Sequence, residues 1–371
     1  MAIKSKAAIL TGTHRDWEVV ELDVDEPHAG EVRVRMEVAG LCHSDEHLKY
    51  GNVPYPLVGG HEGSGVVESV GDGVTKVTAG DHVAIAWIPS CGTCRWCLTG
   101  RSNLCDLGAN MLTGELANGG YRFMLEGQGI GGNAGSGTLS QYIVVDQRAV
   151  IKVDPSVSLE WASLVTCSST TGWGSVIRAG EVTSGDTVAI YGCGGVGANA
   201  VRAAVAVGAG LVAVIEPVEW KRDFAKDSGA DLVFADAVSA QSELWERTHG
   251  IGMDVAVITV GKVSSEVVRA AFELISKGGT IVLTGVSDDI MADTIELPGS
   301  MLTLFQKRIV GSLYGHSNPL VDIPHMIRMA QDGKLNLEGL VTGRYALNDV
   351  NTGYADLLAG RNIRGVVVHE H

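Results

Sequence analysis

The sequence predicts a two-part α/β chain: a doubly wound, parallel, six-stranded sheet, and a second domain built as a distorted β-barrel. Three observations carry this. Residues 186–216 read strand, G-x-G-x-x-G, helix, strand, acid, in that order. Strand and helix patterns then alternate as far as residue 313. Between residues 6 and 88 the chain instead gives short strands with little helix, punctuated by Pro27, Gly30, Gly51, Pro54 and Pro56. The expected boundaries are 1–168 with 314–371 for the β-rich domain and 169–313 for the alternating one.

In the β-rich part, 6–10, 17–22, 31–39, 63–70 and 81–88 read as strands. The third alternates: Val32, Val34, Met36 and Val38 on one face, Arg33, Arg35 and Glu37 on the other. Two short runs here carry chemistry, Gly40-Leu41-Cys42-His43-Ser44-Asp45-Glu46-His47 and Gly59-Gly60-His61-Glu62-Gly63. Cys42 and His61 are a soft sulfur and a borderline nitrogen, the pair zinc prefers. Cys167 is the candidate third ligand; three protein ligands leave one position open for chemistry. Taken one at a time, each of these residues reads rather as a small buried thiol or a satisfied core histidine, and the rest of the chain decides.

Cys91, Cys94, Cys97 and Cys105 follow as C-x2-C-x2-C-x7-C. Four thiolates in one lobe suit a closed tetrahedral zinc that contributes folding energy. An iron–sulfur cluster is the rival, although the last gap is long and no proline follows. The glycine-rich stretch 106–137 has weak patterning and reads as a loop over a substrate channel or as a plain surface insertion. A strand at 138–145 comes next.

In the alternating part, Gly192 allows the tight turn after the first strand, Gly194 lets a pyrophosphate approach the backbone at the helix N-terminus, and Gly197 allows close helix–strand packing. Glu216 closes the second strand and is placed to accept from ribose hydroxyls. Strands at 232–234, 254–258, 280–284 and 309–313 and helices at 218–228, 237–248 and 264–276 complete the pattern. Met301 to Phe305 reads as an edge strand that pairs between subunits, which predicts a homo-oligomer. Helices at 319–331 and 347–358 and a strand at 364–369 return to the first domain.

The net charge of −15 argues against a nucleic-acid or anionic-membrane partner. No apolar run reaches spanning length and the first ten residues lack a signal-peptide core, so a cytoplasmic protein is expected. Seven cysteines then point to metal rather than disulfides.

Together, G-x-C-H-S-D, G-H-E-G-x-G, the four-cysteine lobe, the glycine fingerprint and Asn362-Ile363-Arg364 resemble the zinc-containing medium-chain alcohol dehydrogenases over essentially the whole chain. The resemblance implies a GroES-like catalytic domain, a Rossmann domain, two zinc ions per chain and NAD. Cys42, His61 and Cys167 would bind catalytic zinc, with Glu62 able to approach the metal and Asp45 orienting a metal-bound imidazole. Ser44 would take the alcohol proton and His47 would pass it on. His43 and Arg364 would face the pyrophosphate; Thr171 and Val196 would press on the nicotinamide. Gly195, Lys221 and Val286 would complete the cofactor contacts, and Val53 and Trp87 would line the substrate pocket.

A narrower resemblance, in 215–222 and 311–315, is to nicotinoproteins, whose NAD does not exchange and whose electrons leave to an external, artificial acceptor. The implied substrate is a primary or aromatic alcohol, or its aldehyde. Two alternatives stay open: a thiol-adduct formaldehyde dehydrogenase, for which Arg122 is the one basic residue of the 106–137 stretch, and a non-enzymatic dinucleotide-binding protein.

Overall fold

A computed structural model describes residues 1–51, 53–288 and 294–371. The chain forms two compact units, residues 1–167 with 318–371, and residues 168–317. The units divide one residue before the first expected boundary and four residues after the second.

The first unit holds a closed barrel and a second sheet. Ile3–Leu10 pairs antiparallel with Glu18–Val24, and the circuit closes through Phe123–Leu125, Gln128–Gly132 and Leu57–Val58. The 106–137 stretch is therefore barrel wall for part of its length, which corrects the expectation of a loop. Its glycines hid it: Gly129, Gly131 and Gly132 offer no side chains to alternate, and main-chain pairing with neighbouring strands decides. The second sheet centres on Glu31–Gly40, flanked by Glu62–Val70, Tyr142–Asp146 and Arg364–Val368. The alternation of that strand shows in its burial, with Val32, Val34 and Met36 fully buried. The opposite face is not solvent, however. Glu31 and Arg33 are also buried, held by Arg122 and Glu68 respectively.

In the second unit six parallel strands run in the order Leu232–Phe234, Leu211–Ile215, Thr187–Tyr191, Met253–Ile258, Ile275–Leu283, Arg308–Gly311 among the described residues. Both faces are covered, so Val188, Ala189, Ile190, Val212, Ala213 and Val214 are all buried and read as continuous apolar runs. The order reverses at Thr187–Tyr191, and the glycine loop leaves from its carboxyl end, where doubly wound sheets bind ligands. Met301 to Phe305 is not a strand: the chain is helical over Gly299–Leu304, and the sheet edge is Arg308–Gly311. A five-residue apolar run does not by itself distinguish strand from helix.

Candidate active site and metal centres

The central strand of the first unit ends at Gly40, where nothing larger fits: a Cβ there would lie 2.1 Å from Glu62 Oε2. The chain then makes a single helical turn, His43–His47, entered from an extended Cys42. Asp45 locks that turn. Its amide donates to Cys42 O at 3.1 Å, and its Oδ2 accepts from Cys42 N at 3.3 Å. Antiparallel register sets Gly40 against Glu62 and so brings His61 beside Cys42. Cys167 arrives just after the helix Leu159–Leu164. Thr166 fastens it there, accepting from Gly63 N at 3.3 Å and donating to Ser163 O at 2.6 Å.

The result is one buried cluster: one ligand atom each from Cys42, His61, Glu62 and Cys167, all within 4.8 Å of one another. Cys167 Sγ lies 3.5 Å from His61 Nε2. With Zn–S of ~2.3 Å and Zn–N of ~2.05 Å, a tetrahedral edge between sulfur and nitrogen is about 3.5 Å, so the donors fit zinc in type and spacing. The contact from Cys167 holds the Cys42 thiol well below its usual range despite burial, with His61 and Arg364 adding to the effect. Burial opposes a charge on His61, but Asp45 and Cys42 outweigh it and push its pKa up to about 10. These are the tendencies of a site that wants a cation: thiolate sulfur, and an imidazole whose Nδ1 lies 3.1 Å from a carboxylate. Glu62 Oε1 lies 4.0 Å from His61 Nε2 and pairs with the Arg364 guanidinium, both side chains being buried.

Ser44 is exposed, with its hydroxyl 3.4 Å from Cys42 Sγ. His47 is buried on the same short turn, its ring centroid 5.0 Å from that of His43. Trp87 stands edge-on to His61 at 5.8 Å between centroids, beside the cluster. Val53 leans on a different group, the apolar cluster of Trp17, Leu41, Leu48 and Leu57.

The four-cysteine lobe closes on itself. Cys91, Cys94, Cys97 and Cys105 lie with their sulfurs within 4.8 Å of one another. Two edges measure 3.9 Å, Cys91 to Cys97, and 4.0 Å, Cys94 to Cys105. A zinc–thiolate tetrahedron requires about 3.8 Å. An iron–sulfur cluster would spread its thiolates around its own sulfides and does not fit edges this short. Thr93 donates to Cys91 Sγ through both its hydroxyl and its amide, Cys94 N adds a third bond, and the thiol falls to about 6. Cys105 is buried and pushed up to about 12. All seven cysteines are free thiols.

In the second unit Gly192 has φ +91, a conformation that excludes a side chain. A Cβ on Gly197 would lie 2.0 Å from Gly192 O, so the helix Gly195–Val207 seats only against glycine. Gly194 differs: a Cβ there would meet no atom of the described residues within 4 Å, so the backbone at the helix N-terminus is open to close approach, as a pyrophosphate would require. Glu216 Oε2 accepts from Cys193 N at 2.7 Å and Oε1 from Val218 N at 2.9 Å. Each oxygen keeps a lone pair for a further donor. Lys221 is buried beside this acid, and burial lowers its pKa. Arg222 is tied down, donating to the carbonyls of Glu216 at 2.8 Å and Pro217 at 2.7 Å. Thr171 and Val196 come together because Gly172 packs on the first turn of Gly195–Val207. Val286 is exposed after the fifth strand.

Sequence reasoning missed Thr166 and Asn133. Asn133 is buried and donates to Asp45 Oδ1 at 2.7 Å. Its only cue was a turn-like Asn-Ala-Gly in a glycine-rich stretch.

Residues 28–155 match the family described as alcohol dehydrogenase GroES-like domain, and residues 195–332 match that described as zinc-binding dehydrogenase. A putative alcohol dehydrogenase D of Mycobacterium tuberculosis is 49% identical over 369 residues, 99% of this chain and 100% of that one. An NDMA-dependent alcohol dehydrogenase of Amycolatopsis methanolica is 48% identical over 369 residues, 99% of each chain. Among solved structures, benzyl alcohol dehydrogenase of Acinetobacter calcoaceticus superposes with a TM-score of 0.91 at 27% identity, covering 99% of this chain and 100% of that one.

Proposed function

The chain belongs to the zinc-binding alcohol dehydrogenases, and on that premise we propose that this enzyme moves hydride between a primary or aromatic alcohol and a tightly held NAD. The observation that carries the reading is the buried convergence of Cys42, His61 and Cys167; Glu62, the fourth member of that cluster, is paired with Arg364, which leaves one coordination position to spare. Zinc there would supply Lewis acidity toward the alcohol oxygen, and NAD would supply the hydride acceptor. The chain's own residues do the rest. Asp45 fixes the imidazole of His61. Ser44 Oγ, beside a ligand sulfur, accepts the alcohol's proton, and His47, three residues on along the same turn, carries it outward. Trp87 gives the substrate side an aromatic wall suited to a planar ring. Cys91, Cys94, Cys97 and Cys105 would hold a second zinc, which would keep that lobe folded.

Glu216 selects NAD, because a 2′-phosphate would meet its carboxylate as like charge. Arg222 Nη1 donates to the backbone carbonyls of Glu216 and Pro217, which holds that side chain against the turn. Those same bonds, with Pro217, pre-order the turn that holds the adenosine and lower the cost of keeping it bound. The NDMA-dependent relative supports the nicotinoprotein reading, with an external acceptor taking the electrons. Thiol-adduct formaldehyde chemistry is disfavoured: the Arg122 guanidinium is bidentate to Glu31 at 2.7 and 2.8 Å and is not offered to an anion. Seven free thiols suit a reducing, cytoplasmic setting.

The test is to denature the purified protein, filter it, and assay the filtrate for nicotinamide cofactor. About one equivalent per chain is expected, with benzyl alcohol turned over by an artificial acceptor and little gain from added NAD. Less than about a tenth of an equivalent rejects retention.

A further inference from the structure

Asp45 Oδ1 draws three donors: Asn133 Nδ2 at 2.7 Å, His61 Nδ1 at 3.1 Å and Gly60 N at 3.2 Å. The shortest of these comes from a residue 88 positions away. Asn133 follows directly on the barrel strand Gln128–Gly132 and opens a tight turn. Its carbonyl accepts from Ser136 N at 3.0 Å, Gly137 N at 3.1 Å and Ser136 Oγ at 3.0 Å. Ala134, Gly135 and Gly137 all take left-handed backbone, at φ 53, 65 and 63. The turn has no slack: a Cβ on Gly135 would lie 2.7 Å from Glu115 O, and one on Gly137 would lie 2.8 Å from Phe123 Cε2. Packing thus delivers the amide to Asp45 already oriented.

The chemistry of the contact is specific. Only the nitrogen of the amide suits this position, since its oxygen would face a carboxylate. Asn133 Nδ2 is also 3.4 Å from His61 Nδ1, so two donors converge on one acceptor and the ring proton is directed to Asp45. An amide steers the carboxylate without neutralising it, as a lysine or arginine would; the full charge of Asp45 stays with the imidazole.

We propose that Asn133 is a positioning residue of the metal centre: its amide aims Asp45 Oδ1 at His61 Nδ1 and so fixes the tautomer that leaves Nε2 for the metal. This rests on the reading of Cys42, His61 and Cys167 as zinc ligands. The barrel segment 128–137 then has a task in the site itself.

The experiment compares Asn133→Leu, which keeps the shape and removes the donor, with Asn133→Ala, which removes both. Zinc affinity at this centre is read on the full chain by competition with a chelator of known affinity, and the cobalt-substituted proteins are compared by their visible bands. Both variants are expected to weaken zinc at this centre by roughly 10- to 100-fold, with altered cobalt bands and the cysteine lobe still loaded. If Asn133→Leu binds zinc within about twofold of the unchanged chain while Asn133→Ala does not, the side chain only fills space and the proposal falls. If His61→Ala leaves zinc stoichiometry unchanged, the ligand reading falls and takes this role with it. Should Asn133→Leu not fold, the smaller Asn133→Val replaces it; it too lacks the donor, and a loss smaller than tenfold overturns the proposal.

Discussion

Arg364→Met removes the cation that faces Glu62. The side chains of Arg364 and Glu62 are 4% and 0% exposed, so the pair lies in the regime where losing one partner strands a buried charge, and the surface value of under about 1 kcal/mol does not apply. The expected cost is about 3–5 kcal/mol, or roughly two to four decades in the folding equilibrium of the unit that holds both residues. Glu62→Gln in the same chain removes the stranded charge and should restore much of that loss, because an amide is cheaper to bury unpaired than a carboxylate. The assay is denaturant unfolding of the wild type, both single variants and the double variant, completing a mutant cycle. The stranded carboxylate also lies 4.0 Å from His61 Nε2, so Arg364→Met should slow zinc removal by chelator as Glu62 becomes an extra ligand. A loss below about 1 kcal/mol in Arg364→Met, or a double variant no better than the sum of its singles, would refute the buried-pair argument.

Cys94→Ser should lower stability or yield while Cys42→Ser leaves a folded, inactive protein; equal loss of folding in both, followed by circular dichroism and zinc content, would show that the two centres do not divide their work. Ser44→Ala should cut kcat by about 100-fold or more, and His47→Gln more mildly with partial recovery at high pH; an unchanged rate in Ser44→Ala would end the relay. Burial pushes the pKa of His369 down to about 4, with Nε2 held 3.1 Å from Thr138 O. An unfolded histidine titrates near ~6.5, so between those values the unfolded chain binds more protons. Stability is then whole above about pH 6.5 and falls toward pH 4, by at most about 3 kcal/mol from this residue. His369→Gln should flatten that slope in denaturation midpoints taken at about pH 7.5 and about pH 5; parallel slopes in variant and wild type would count against it.

What the sequence determined by itself was whatever depends on near neighbours. The glycine loop is legible because Gly192 needs left-handed backbone and Gly197 needs the absence of a Cβ, and both constraints act over a few residues. The cysteine lobe is legible for the same reason, since close spacing alone brings thiols into reach of one ion. Six parallel strands followed from apolar runs long enough to be buried on both faces. The residues that act across the fold were another matter. Cys167 stands 106 positions from His61, and only strand register with the Thr166 bond to Gly63 makes them neighbours. Chain chemistry offered Arg122 to an anion; the fold gave it to Glu31. Phe123–Leu125 and Gln128–Gly132 became barrel wall through main-chain bonds that composition does not encode. Met301 to Phe305 became a helix because a short apolar run takes its form from what it packs against. Asn133 reached Asp45 because barrel closure and a left-handed turn carried it there. Side-chain type announces what a residue can do, while which partner it meets is set by long-range packing, whose geometry no local spacing contains.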